Sequence, residues 1–496
     1  MIENRFDRIW KEIAALRPQL AAIMDQYGDL KLVDYIRQIQ EYRPPAPFSE
    51  RLAEFSRRIG SDVRRRYGED IAEAAAERIR KVPVVSTGDH HGILSFPMFV
   101  HSNLMMCLDA LVDNRDDYRI VLATGNVPLM NFTYPRGLML TERNRKGKEV
   151  KIPLFPYKLE RTWVSGAPPF KADAVERAVK KVDKLEREKV ISGQKAETVR
   201  DFLQEDLADE QILGQPDYAT QACRLNEQIW KRLFRKPPSA QLVPLPLEEA
   251  AGEWLADILE EERDLPLVHL LLDKRWQAKA AGLFEDVPGC WSLDSRSGSF
   301  LLWAIGTRGQ PVDLWEDDGE LTGQDPSTKE EIRYQLNAKL LADKLRSGEL
   351  VPGLLVTFAI LTFHFGIRCY GGFMQTDYLD EMKNGWIGLL KSFGLEEEAA
   401  AVSALPIANY LTGPSIGFVE HNGYVTGAGT FDLISRGGLS SEELKAAADH
   451  TIRQLNTPSL PVIYRIIKGA DADPHLAESN PKQAIEHGGL EDLILS

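Results

Sequence analysis

The sequence predicts an α/β fold: a parallel-sheet core with N-terminal helices and a long helical insertion. Three observations predict it. "VPVVSTG", Val82–Gly88, is a β-branched run that closes on small residues, the mark of a buried strand entering a turn. "FVHSNLMMCLDALVDN" follows and reads as an apolar helix. "YRIVLATGN", Tyr118–Asn126, is a second strand ending in a Gly-Asn turn. Strand, helix, strand is a βαβ unit, and such units place ligands beyond the carboxyl ends of parallel strands.

The remaining elements follow in order. Residues 1–80 read as helices: "FDRIWKEIAALRPQLAAIM" spaces its apolar residues by three and four, "GEDIAEAAAERIRKV" is alanine-rich, and "RPPAP" at Arg43–Pro47 separates them. Residues 81–170 form the first part of the sheet core. Over 171–236, Val175, Ala178, Val179, Val182 and Leu185 make one apolar stripe among charges. That pattern predicts a projecting helical arm and a dimer contact along it. Residues 237–400 complete the core, with strands expected at Leu265–Asp273 and Ser299–Gly309 and a helix near Lys329–Ser347. Residues 401–496 are an α/β or loop-rich region, its last forty residues loop-rich.

Composition bounds the function. The chain has 496 residues, enough for two or three packed units, and 43% hydrophobic content. Its net charge of −14 repels a phosphate backbone, so nucleic acid is not an expected partner. The apolar run Val351–Phe363 is too short for a bilayer, so no membrane is expected either. The first twenty residues mix charges and lack the apolar core of a secretory signal. Four scattered cysteines form no C-x-x-C pair, which fits a reducing cytoplasm.

The chemistry-bearing stretch is "STGDHHGILSFPMFVHSN", Ser86–Asn103. Asp89, His90 and His91 are the candidate catalytic residues: an imidazole serves as general acid or base near neutral pH, and a neighbouring carboxylate orients it. Thr87, Gly88, His101 and Asn103 are candidate substrate contacts, since the Thr-Gly turn lets backbone N–H groups approach a ligand and the start of the following helix favours an anion. Asn126 and Asn131 extend the set to the second strand end. Arg136, with Lys158 and Arg161 beyond it, offers a cation for a carboxylate or phosphate. A metal-dependent alternative uses His90, His91 and His101 as ligands of a divalent ion, which requires a twisted turn because adjacent side chains in extended chain point apart. "DHHG" is similar to the signature of the DHH phosphoesterases, but the strand-borne aspartates that family needs upstream are absent. "GPSIG", Gly413–Gly417, fits G-x-S-x-G with Asp432 and His450 downstream, yet the glycine-rich segment after it is no helix, so a plain turn is expected. No P-loop is present, and "GAG" at Gly427–Gly429 is too short for a dinucleotide fingerprint.

A longer pattern gathers these pieces. From Thr87 the chain reads T-G-D-H-H-G-I-L-S-F-P-M-F. It resembles the strand-end motif of the bacillithiol cysteine-adding enzymes, T-G-Q-Q-x-G-L-F-x-G-P-L-Y, with Thr87, Gly88, Gly92 and Pro97 coincident. "LATGNVPLMN" keeps Ala123 of that family's next block. "GGFMQTDY" keeps Gly371, Gly372 and Tyr378 of its late G-G-P-G-E-L-A-Y block, with Gln375 at the glutamate. The family's helical insertion also falls where 171–235 lies. The resemblance covers 80–400 and implies a Rossmann-like, nucleotidyltransferase-type core, a coiled-coil arm, a homodimer through that arm, and a biosynthetic enzyme that joins a nucleophile to an activated small polar or anionic metabolite. It leaves a nucleotide or a divalent metal open as cofactor. It also adds Gly371, Gly372, Gln375, Asp377 and Tyr378 to the substrate contacts, in a pocket shared with Thr87–His91. Asp89-His90 replace the paired glutamines, and Gly125–Pro128 replace an acidic-histidine cluster, so a different reaction on the same scaffold is expected. A non-catalytic binding or assembly protein that keeps the fold is the remaining alternative.

Overall fold

The computed structural model describes residues 4–90, 92–131, 136–144, 147–261, 264–406, 413–421, 423–478 and 481–495. Its centre is a four-stranded parallel sheet. The strands are β1 (Val84–Ser86), β2 (Asp117–Ala123), β3 (Ala240–Pro246) and β4 (Arg368–Tyr370), in the order β3-β2-β1-β4. The expected βαβ unit is present: β1 and β2 pair in parallel, Ser86 opposite Val121, with the helix Pro97–Asp113 between them in sequence.

Both faces of this sheet are buried, which is why its strands read as continuous apolar runs. Side chains alternate between two apolar clusters. Val84, Val121, Leu242 and Tyr370 face one, built on the helices Arg5–Leu16, Leu32–Gln40, Pro97–Asp113 and Tyr218–Arg232. Val85, Ile120, Val243 and Cys369 face the other, built on Ser49–Tyr67, Glu69–Lys81, Leu247–Glu260 and Phe373–Ser392. The first cluster draws residues from all five expected segments, so the N-terminal helices and the C-terminal region pack into one body with the sheet.

Several expectations are corrected. Residues 171–236 do not form a projecting arm. Ser192 caps a new helix at Gly193, and further breaks follow, so the segment becomes a series of shorter helices from Ala172–Arg187 to Tyr218–Arg232. The stripe residues Val175, Ala178, Val182 and Leu185 are buried against this same chain, leaving no apolar seam for a coiled coil. Leu265–Asp273 is not a strand but the helix Pro266–Leu272, with the proline at its first turn, where its missing N–H costs nothing. Lys329–Ser347 splits into the strand Glu331–Gln335 and the helix Ala338–Arg346. Only Leu302–Ile305 of the run Ser299–Gly309 is strand. The last forty residues are largely helical, including Leu460–Lys468 and Pro481–Gly488. Among the described residues no helix is long and apolar enough to cross a membrane.

Candidate functional site

The strand order sets the site. β2 and β3 are laid down on one side of β1, and β4 on the other. Neighbouring connections therefore diverge at the β1–β4 seam, where open α/β sheets leave a crevice. A cavity of about 530 Å³ opens there.

The two sequence blocks meet in it. Thr87 N–H donates to the Tyr370 carbonyl at 2.8 Å, extending the β1–β4 pairing by one residue. Thr87 Oγ1 donates to Gln375 Oε1 at 2.8 Å, and Gln375 Nε2 donates to the Cys369 carbonyl at 3.0 Å. Gly371 permits this: a Cβ there would collide with the Gln375 amide, whereas one on Gly372 would point into open space. Thr87, Gly88, His90, Gly372, Gln375 and Tyr378 line the cavity. His90 packs against Phe99 with the rings tilted, centroids 4.8 Å apart, and burial lowers its pKa to about 4, so it stands there as a neutral imidazole. Tyr378 is held against Phe358, and burial raises its phenol well above the ordinary range.

Other expected site residues turn elsewhere. The Asp89 carboxylate accepts from Asn103 Nδ2 at 3.1 Å and from the His90 backbone N–H; burial nevertheless raises its pKa to about 7. The β1–β2 end is closed, because Thr124 N–H donates to the Asp89 carbonyl and His90 bridges to Thr124. Asn126 is consequently outside the crevice and bonds Ser165 Oγ and the Pro352 carbonyl. Asn131 bonds the Pro128 carbonyl within its own turn. Arg136 donates to the Phe155 carbonyl and lies over Tyr157, beside a separate cavity, and Lys158 lines another. Asp377 points away from the crevice and pairs with Arg17 at 3.0 Å.

The three-histidine metal set is not assembled. His101 commits both ring nitrogens to backbone: Nδ1 accepts from Ile416 N–H and Nε2 donates to the Ala428 carbonyl, each at 3.0 Å. It fastens the helix Pro97–Asp113 to the C-terminal region. His90 faces the crevice. His91 lies outside the described residues.

A different cluster can coordinate a metal ion. Among the described residues, one ligand atom each from Glu142, His421 and Asp432 lies within 4.8 Å of the others. Two hairpin strands, Gly137–Arg143 and Phe418–His421, supply the first two; the helix Thr430–Ser435 supplies Asp432 from its first turn. His421 Nε2 lies 3.1 Å from Asp432 Oδ1 and 2.9 Å from Thr141 Oγ1, and the Thr141 hydroxyl donates to Asp432 Oδ2 at 2.7 Å. Lys195 sends its ammonium into the cluster, pairing with Asp432 and, at 3.4 Å, with Glu142. Burial pushes the Asp432 carboxyl up, but His421, Lys195 and Thr141 together hold it down at about 2. Glu142 Oε2 is buried with no hydrogen-bond partner, an arrangement that costs free energy unless a cation or donor reaches it. The cluster opens on a cavity of about 600 Å³, and its Thr141 also lines the crevice. Thr141 is therefore the shared wall of two candidate sites.

Fold and site together define an α/β protein with a strand-end crevice and an acid–histidine–lysine cluster able to hold a metal. No family model matches the chain, and no curated protein or solved structure is measurably similar to it.

Proposed function

We propose that the chain is a metal-assisted enzyme of small-molecule metabolism, with its cation held by Glu142, His421 and Asp432. The observation that carries this reading is the convergence of those three ligand atoms around a buried carboxylate oxygen that lacks a partner. Two carboxylates and an imidazole suit a borderline or hard divalent ion such as Zn²⁺ or Mn²⁺, with positions left for water. Such an ion acts as a Lewis acid or lowers the pKa of a bound water. In this chain it would take the place of the Lys195 ammonium, whose single charge already offsets part of the acid pair. Lys195 is then a competitor, and its removal strengthens metal binding.

The test is equilibrium dialysis of untagged protein against Zn²⁺ and Mn²⁺. Wild type is expected to take up the ion, Asp432→Asn and His421→Ala to lose affinity more than about tenfold, and Lys195→Met to gain it. Absence of uptake in both wild type and Lys195→Met sinks the reading.

The strand order favours a second reading of the crevice itself. β3-β2-β1-β4, all parallel, is the order of the first four strands of a Rossmann-like sheet, and its switch point falls where Thr87 and Gln375 meet. This supports bond formation between a nucleophile and a small metabolite at the strand ends, as the resemblance to the cysteine-adding enzymes implies. A neutral His90 at the crevice wall suits a proton acceptor there.

A further inference from the structure

We propose that the cavity at the foot of the hairpin formed by Gly137–Arg143 and Glu149–Pro153 binds a small phosphorylated polyanion, with two or more phosphoryl groups on one compact molecule. This cavity shares no lining residue with the crevice or with the cavity at the metal-capable cluster, so the inference rests on neither reading.

Charge comes first. The chain has 74 acidic and 60 basic side chains, yet the charged residues described around this cavity are all basic: Arg136, Lys151, Arg177 and Lys181. Residues 132–135, which lead into Arg136, read Phe-Thr-Tyr-Pro and bring no acid. The other two cavities mix signs, Arg143 with Glu149 in one and Lys195 with Glu142 in the other. Lys151 and Lys181 are half-buried, and among the described residues neither has a carboxylate partner. Arg177 pairs with Asp173, which lies outside the lining. Like charges gathered against a low-dielectric body repel one another, and partial burial without a counter-charge adds to the cost. An anion relieves both.

The sequence marks Arg136 as an anion contact, and the fold fixes it. Its backbone has φ 63°, a left-handed conformation that a residue other than glycine holds only where its surroundings impose it. Its N–H donates to the Leu129 carbonyl, and its own carbonyl accepts from the Leu154 and Phe155 N–H groups. The guanidinium donates to the Phe155 carbonyl at 2.7 Å and lies 5.4 Å over the Tyr157 ring, partners that orient it without neutralising it. The helix Ala172–Arg187 supplies Arg177 and Lys181, one turn apart and beside its buried stripe. Cations therefore arrive from the hairpin foot, a strand and a helix. Phosphoryl oxygens, which point tetrahedrally, meet such a set better than a planar carboxylate does. About 550 Å³ falls inside the ~300–1,000 Å³ that encloses a small ligand, which leaves room for more than one phosphoryl group.

Calorimetric titration with tripolyphosphate, citrate and acetate tests this. It is run in about 0.15 M salt, where charges more than ~8 Å apart are screened, with EDTA to keep metal out of the Glu142–His421–Asp432 cluster. Tripolyphosphate is expected to bind, citrate about fivefold more weakly or worse, and acetate not at all. Lys151→Met and Lys181→Met keep an apolar stem, and each is expected to weaken tripolyphosphate about fivefold or more. Lys181→Arg is expected to retain binding, and Lys158→Met, in a different cavity, to leave it unchanged, with thermal unfolding as in wild type throughout. Citrate binding as tightly as tripolyphosphate overturns the ligand class. Tripolyphosphate binding that neither Lys151→Met nor Lys181→Met weakens, or that Lys158→Met weakens equally, overturns the placement. No binding of tripolyphosphate overturns the proposal as a whole.

Discussion

Asp89 shows how far a residue's role depends on what faces it. Its place beside His90 suggests a catalytic pair, but the carboxylate is turned into the protein toward Asn103. Burial raises its pKa to about 7 in the folded chain, against about 3.9 for a free side chain. Between those values the folded protein holds a proton that the unfolded chain has released. The stability this group contributes is therefore full below about pH 4 and is lost as pH rises through about 7. Asp89→Asn removes the slope: urea unfolding of wild type and variant should diverge by on the order of 4 kcal/mol between acid and mildly alkaline pH. Parallel profiles would show that the carboxyl is solvated. Gly371→Ala should also destabilise, by collision with Gln375, while Gly372→Ala leaves stability within about 0.5 kcal/mol of wild type. Thr87 and Gly88 were legible because turn residues after a β-branched run mark a strand end, whereas the glycine pair entered only through the resemblance to the cysteine-adding enzymes. The directions of Asp89, Asn126 and Asp377 were not legible, because they are set by partners distant in sequence.

At the scale of elements, periodicity reveals that a helix has an apolar face but not what covers it. Ala172–Arg187 is the case in point. Its stripe reads equally well as a dimer seam or as core, and the structure buries it within the chain. Leu185→Ala is accordingly expected to lower stability by about 2–4 kcal/mol without altering oligomeric state, measured by denaturation and by light scattering. A change of oligomeric state at unchanged stability would restore the seam. The run Leu265–Asp273 misleads for a related reason, since a short apolar segment fits strand and buried helix alike. The βαβ unit escaped this ambiguity because its runs are β-branched and bounded by Thr-Gly and Gly-Asn. The metal-capable cluster was illegible: Glu142, Lys195, His421 and Asp432 come from separate segments, and no local spacing links them.

Across the whole molecule, one buried ion network ties the layers together. Arg119 on β2 is 1% exposed and pairs with Asp109 of the crossover helix at 2.7 Å and with Asp117 at 3.0 Å, while donating to Gln40 of an N-terminal helix. Asp109 itself is 2% exposed. Removing the arginine leaves the buried Asp109 to Arg115, itself half exposed, and Asp117 to Arg78, so Arg119→Ala is expected to cost about 3 kcal/mol, read from the urea midpoint. A cost below 1 kcal/mol would mean that water reaches Asp109 (an exposed pair is worth no more than about that). The N-terminal helices, legible as helices from their spacing, are thus part of the sheet's support and not a separable domain.

The pairing of β1 with β4 has a consequence for how the chain comes off the ribosome. Val84 is matched to Arg368, so more than half the sequence must be synthesised before the seam can close. Until then β1 has a bare edge beside β2, and unpaired strand edges are the sites where nascent chains associate wrongly. Contacts so distant along the chain also form slowly. The crevice is therefore among the last features to mature, and a chain arrested before Arg368 should remain open to proteases around Thr87–His90 and also at the helix Arg5–Leu16, whose packing partner Leu460–Lys468 is not yet made.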